Sequence, residues 1–184
     1  MPRSPMDHWV YTSWPDLTAS FVLGGLDIIA VPDLSEEGQT YTGRMLLHAS
    51  GYPEADPDCA KNLEAMGLSV DTFPGYAIHG RATVKSITMY NPMLFAAEHE
   101  RHSNGADMQA WLKASDILDK PDVWRIELKD VEALEAPIIN LYGDPVAAED
   151  GIYRHGDLWQ PSSPMIMEAV KMAINKDRAV IPAE

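Results

Sequence analysis

The apolar positions of the chain divide it into short segments whose spacing switches between the helical and the strand period. "SWPDLTASFVLGG" sets Leu17 and Phe21 four apart, with Pro15 in the first turn, Ser13 as N-cap, Asp16 three residues on, and Gly24 placed to stop it. That pattern predicts an amphipathic helix over 14–23. "DIIAV" then reads as a buried strand, "DLSEEGQTYT" as a polar loop and "GRMLLHAS" as a second, mostly apolar strand. In "DPDCAKNLEAMG", Asp56 can cap, Pro57 suits the first helical position, Leu63 and Met66 share a face, and Gly67 closes the helix. "YAIHGRATVKSITMY" alternates as a long half-buried strand, with Ala77, Ile78, Ala82, Val84 and Ile87 as its apolar positions. "NPMLFAAEHERH" and "DMQAWLKASDIL" are helical in pattern and are split by the breaker "SNG" at 103–105. "VWRIELKDV" and "APIINLY" return to strand patterns, and "SPMIMEAVKMAIN" spaces Ile166, Val170 and Ile174 as an amphipathic helix. Strands and helices mix without regular alternation, which favours an α+β architecture over a doubly wound sheet.

Composition narrows this further. The 184 residues, 46% of them hydrophobic, suit one compact domain with additions. No apolar run approaches the roughly 18 to 20 residues that cross a bilayer. The opening "MPRSPMDHWVYTSW" also lacks the apolar segment of a secretory signal. A soluble, cytoplasmic protein with no membrane association is the expectation. The single cysteine, Cys59, sits among acids in "PEADPDCAKN" and is expected to be a structural thiol rather than a reactive or metal-binding one. Charge is the most unusual bulk property: 14 basic residues against 28 acidic ones give −14, and residues 1–60 hold only Arg3 and Arg44 as basic side chains. Such a surface repels phosphate, so it excludes binding nucleic acid through a broad basic face. Any nucleic-acid role has to rest on a local pocket or on a basic protein partner.

The order of the segments resembles the ASCH family of PUA-like β-barrels. "WPDLTASFVLGGLDI" is similar to the family's opening helix and glycine turn. "YTGRMLLHAS" is similar to its Y-R-G-x-L-L-I-H-A-S strand, and "GYAIHGRATVKSI" to its G-A-I-V-G-x-A-x-L-x-D strand. "VWRIELKDVEALEAPI" and "GDLWQPS" resemble the later tryptophan-led strand and the closing G-L-W strand. The resemblance implies a PUA-like (ASCH) β-barrel with peripheral helices over 1–161, a helical insertion around 92–119, and a C-terminal helix and tail over 162–184. It also implies a motif, G-x-K-x-x-E-x-R with Thr for Glu in the members that deacetylate N4-acetylcytidine, at the glycine turn. Laid on "GGLDIIAV" from Gly24, the lysine position is Leu26, the Glu or Thr position Ile29 and the arginine position Val31. None of these side chains can act as nucleophile or base. The expectation is a core strand and a protein that binds rather than catalyses, with no cofactor and no metal.

The resemblance places a ligand cleft between the opening helix, the glycine-turn strand and the "HAS" strand. That brings in Trp14, Arg44, His48, Ser50 and Tyr52, with Arg125 as a further local cation. An aromatic plane beside a guanidinium is what stacking on a base and touching a phosphate use. The residues also have plain readings: Trp14, Trp124 and Trp159 as core aromatics and His48 as a buried, hydrogen-bonded histidine. "EHERH", with Glu98, His99, Glu100 and His102, lacks zinc-protease spacing and reads as a solvated helix end. Two classes of function follow. One is a non-catalytic module for RNA, a modified nucleoside or a nucleotide; the other is an acidic protein-interaction module that binds or blocks a basic nucleic-acid-handling partner. A weaker third is amidohydrolase or nuclease activity with shifted residues.

Overall fold

A computed structural model of the chain describes residues 9–31, 34–51, 58–102, 123–139 and 158–159. Six strands form one sheet: β1 (Trp9–Ser13), β2 (Ile28–Val31), β3 (Arg44–Ala49), β4 (Ala77–Met89), β5 (Trp124–Ile139) and β6 (Leu158–Trp159). Their order is β2-β5-β4-β3-β1-β6, with β1 parallel to β3 and every other neighbouring pair antiparallel. Five short helices accompany them: α1 (Pro15–Val22), α2 (Glu36–Gln39), α3 (Asp58–Ala65), α4 (Pro92–Ala97) and α5 (His99–His102).

Alternate residues of five strands converge on one core. Tyr11 of β1, Ile29 and Val31 of β2, Met45 and Leu47 of β3, Val84 of β4, and Ile126 and Leu128 of β5 share a buried cluster with Phe21 and Leu26. β1 and β2 lie four places apart in the sheet order, so they reach one core only because the sheet curls. The result is a mixed half-barrel with helices around it, the α+β architecture that the pattern predicts.

α1 closes one side of the half-barrel. Its Phe21 enters the core, and its Val22 lies so close to Gly80 that a Cβ there would collide with it and would also stand 2.9 Å from the Glu132 carbonyl oxygen. Leu63 and Phe73 join Ala19 and Ala49 in a second cluster that ties α3 to α1. Gly24 and Gly67, both at positive φ, end α1 and the α3 region where the sequence places the stops.

Several elements differ from the sequence reading. β1 has no strand signature because all five of its residues are buried, which removes the period-2 contrast. Ser13 is not the N-cap of α1: it is the last residue of β1, its carbonyl accepts from Ser50 N–H at 2.8 Å, and Trp14 takes the cap position. The loop at 33–42 contains the single turn α2, capped by Ser35 accepting from Gly38 N–H. Over the described residues, the two strands expected at 123–131 and 136–142 are one strand, β5, which ends at Ile139; 140–142 lie outside the described residues. Between them Glu132 and Ala133 stay paired with β4, whereas residues 134–137 fall in an irregularity between the Gly80 and Ile78 pairs, where Pro137 has no N–H to give. "NPMLFAAEHERH" is two helices rather than one, interrupted at Glu98. The expected helices at 107–118 and in 162–184, and the Asp56–Pro57 cap, lie outside the described residues.

Candidate functional site

The predicted site residues fall into three places. Trp14, His48 and Ser50 gather where β1 and β3 end beside α1. Thr12 Oγ1 is 3.0 Å from His48 Nδ1, Thr18 Oγ1 donates to the His48 carbonyl at 3.2 Å, and Ser13 Oγ is 2.7 Å from Thr18 Oγ1. His48 has no exposed surface, and burial, with His79 beside it, lowers its pKa to about 3. A neutral imidazole sealed in this way completes a buried hydroxyl network. It matches the plain reading of a hydrogen-bonded interior histidine. Ser50 is also buried and donates to the Gly51 carbonyl; Trp14 is half-buried. Cys59 is buried and donates to Asp16 Oδ1 at 3.4 Å, which is the structural setting expected of it. Tyr52 lies outside the described residues.

Arg125 sits elsewhere, on the outer face of β5 beneath α4 and α5. Its Nε and Nη2 donate to the two oxygens of Glu98 at 2.8 Å each, and its Nη1 to Glu127 at 2.9 Å. Arg101 bridges Asp27 at 2.9 and 2.6 Å, Glu98 at 3.1 Å and Glu127 at 3.1 Å, while Lys85 reaches Glu127 at 3.0 Å. Tyr90 donates to Glu98 at 2.8 Å. Three cations thus face three carboxylates, and the wall is neutral. The hydrogen bonds from Arg125 dominate in holding Glu127 down to about 2 and Glu98 below its usual range. Both guanidinium pKa values are raised by the same contacts, and burial raises the Tyr90 phenol. The two glutamates are therefore held ionised and the two guanidiniums charged, each engaged by the other.

This wall corrects one expectation. "EHERH" is not wholly a solvated helix end: Glu100 is exposed, but His102 is buried with Nε2 2.9 Å from the Phe95 carbonyl, and Glu98 is a half-buried ion-pair partner of Arg125. It also settles the role of "GGLDIIAVP". Leu26, Ile29 and Val31 are core residues, and Asp27, the one charge in the run, is spent on Arg101.

Arg44 lies at the opposite end of β3 from His48, where it is exposed. It borders a pocket of about 280 Å³ with Arg81, Ala82, Thr83, Asp130 and Glu132, on the outer face of β3, β4 and β5. Arg44 and Thr83 are direct partners across β3 and β4. Arg81 Nε and Nη2 both engage one oxygen of Glu132, at 2.8 Å. Asp130 owes its place to an irregularity. Pairing passes from Arg81↔Glu132 to Thr83↔Lys129, so two β5 residues face Ala82, and Asp130 takes a φ of 50°. Strict alternation from Leu128 would turn Asp130 to the core; the bulge turns Val131 inward instead and leaves the carboxylate at the pocket rim. Bulges of this kind re-aim side chains, and a non-glycine residue in the left-handed region marks a position worth a functional explanation. Among the described residues, neither Arg44 nor Asp130 has an ion-pair partner. Sequence reasoning found Arg44 and missed Arg81, Asp130 and Glu132.

This mixed half-barrel with a few helices around it has the ASCH, PUA-like fold. ASCH from Zymomonas mobilis matches it with a TM-score of 0.57 at 11% identity, over 91% of this chain and 95% of that one. A serine-to-alanine variant of the same protein gives 0.54 at 12% identity, over 92% and 99%. No family model matches the sequence, and no curated protein is significantly similar to it. The likeness is one of fold. Among the described residues, no helix is long and apolar enough to cross a membrane, and no group of three or more His, Cys, Asp or Glu side chains is arranged to hold a metal.

Proposed function

We propose that this chain is a diverged ASCH-type module that has lost the G-x-K-x-x-E/T-x-R side chains and acts by binding RNA, a modified nucleoside or a nucleotide. One observation carries the reading: in a protein of net charge −14, the exposed Arg44 stands at a small-molecule-sized pocket without an ion-pair partner among the described residues. Leu26, Ile29 and Val31, at the positions where the resemblance puts the functional side chains, are packed into the core and supply no reactive group. A cation left open in an acidic surface can take an anionic ligand only locally, because the surrounding field opposes a long phosphate backbone.

The test is binding of the full chain to RNA oligomers, free nucleosides and nucleotides at two salt concentrations, with Arg44→Ala beside it. Saturable binding that persists in salt and falls about tenfold or more in the variant, the equivalent of one charge-assisted contact, is the expected result. No binding by the unmodified chain would overturn the reading. A salt-sensitive complex with a basic protein would then support the acidic interaction module instead.

A further inference from the structure

The pocket is asymmetric, and the asymmetry specifies a ligand. At one end Arg44 and the Thr83 hydroxyl present donors; at the other, Asp130 and the Glu132 oxygen that Arg81 leaves free present acceptors. Arg44 on β3 stands about two strand spacings, roughly 10 Å, from β5, and Thr83 on β4 lies between them, one spacing from each. A simple anion satisfies the first end and is repelled by the second. A simple cation meets the reverse.

We infer, building on the binding-module reading, that the pocket takes a single guanine nucleotide: its phosphate on Arg44 and Thr83, and its base edge on Asp130 and Glu132. Carboxylates only accept hydrogen bonds. Guanine is the base whose Watson–Crick edge carries two adjacent donors, N1–H and the N2 amino group, which match the two oxygens of one carboxylate. Uracil brings a carbonyl to either side of its lone donor, and adenine and cytosine place an acceptor beside their amino group. Each therefore sets a lone pair against a carboxylate oxygen. Arg81 serves as the fixed floor, since its pair with Glu132 holds that carboxylate in place.

The same features argue for one nucleotide rather than a strand. About 280 Å³ lies at the lower end of the range for small-ligand pockets. Single-strand binders track several nucleotides with a continuous basic groove and stacked aromatics. Here the lining past Arg44 is two carboxylates and a guanidinium already paired with one of them, not a continuous basic groove.

The experiment is calorimetric titration of the full chain with guanosine 5′-monophosphate, guanosine, uridine 5′-monophosphate and a short RNA oligomer, repeated with Arg44→Gln and Asp130→Asn. Asparagine tolerates the left-handed backbone at position 130, so the second variant keeps the bulge. The expected matrix has two independent parts. Arg44→Gln removes the advantage of the guanine nucleotide over guanosine, about tenfold, and leaves the preference over the uracil nucleotide intact. Asp130→Asn does the opposite. Equal binding of the guanine and uracil nucleotides, or a preference unmoved by Asp130→Asn, overturns the inference. RNA bound through Arg44 with no mononucleotide bound overturns it too, while leaving the binding-module reading standing. No binding of any probe overturns both.

Discussion

The outer face of the β4–β5 pair carries two groups of arginines and carboxylates that the chain uses in opposite ways. Toward the Met89 and Trp124 end, Arg125, Arg101 and Lys85 meet Glu98, Glu127 and Asp27 in a neutral wall in which both guanidiniums make several ion pairs. A few residues along the same strands, Arg81 donates two nitrogens to a single oxygen of Glu132, while Arg44 and Asp130 stand at a pocket without ion-pair partners among the described residues. Residue types do not separate these regions; unspent donors and acceptors do. The wall fastens α4 and α5 to the sheet, and the pocket is left with chemistry to offer.

Breaking the wall should produce the largest effect. Removing Arg125, which is 8% exposed, leaves Glu98 and Glu127 ionised and largely buried without their main partner. Arg125→Ala should cost about 3–5 kcal/mol in urea unfolding, as for other broken buried pairs. Arg44→Ala, an exposed change, should stay within about 0.5 kcal/mol. Equal costs would mean that the two regions do the same structural work.

Acid separates the wall from the histidines of the interior. His48, His79 and His102 all have pKa values lowered by burial, His48 from 6.5 to about 3. A depressed histidine takes up its proton more readily in the unfolded chain. Its contribution is complete above pH 6.5 and is lost as the pH falls below that, by at most about 1.4 kcal/mol per pH unit for each histidine. Glu127, lowered from 4.5 to about 2, contributes fully above pH 4.5 and loses that contribution between there and about 2. Urea midpoints followed from about pH 7 to about pH 3 should fall through both windows in the unmodified protein. Arg125→Ala should keep the upper slope and, below pH 4.5, lose the part that Glu127 adds while the His48 part persists down to about pH 3. A flat profile between pH 6.5 and 4.5 would show that the buried histidines are not held neutral.

Much of this architecture is legible in the spacing of residues, and the failures have physical causes. α3 and β4 follow their periods because each has a buried and an exposed side, while β2 and β3, buried almost throughout, show as short apolar runs and α1 shows through its Leu17–Phe21 spacing and glycine stop. β1, buried throughout, has no contrast to read. The resemblance to ASCH segments anticipated the fold, yet it gathered Trp14, Arg44, His48 and Ser50 around one cleft. Arg44 and His48 lie near opposite ends of β3, and the pairing of distant strands, which no local pattern encodes, sets their neighbours. The pocket did leave one local trace. Ile126 and Leu128 are two apart, but the next inward residue, Val131, follows after three, and that slip of phase marks the bulge that exposes Asp130.

That bulge gives the smallest prediction and the one that bears most directly on the comparison. Asp130 holds a φ of 50°, a conformation that glycine adopts freely and that costs an ordinary L-residue about 1–2 kcal/mol, somewhat less for aspartate. If its carboxylate is kept for a ligand rather than for the fold, Asp130→Gly should raise stability by up to about 1 kcal/mol while weakening nucleotide binding. Thermal melts of the unliganded variant decide the first half, and titration decides the second. A variant that is less stable than the parent would mean that the Asp130 side chain helps to hold the strand. The pocket would then resemble the wall, a place where charges are already used, and the argument for an open site would rest on Arg44 alone.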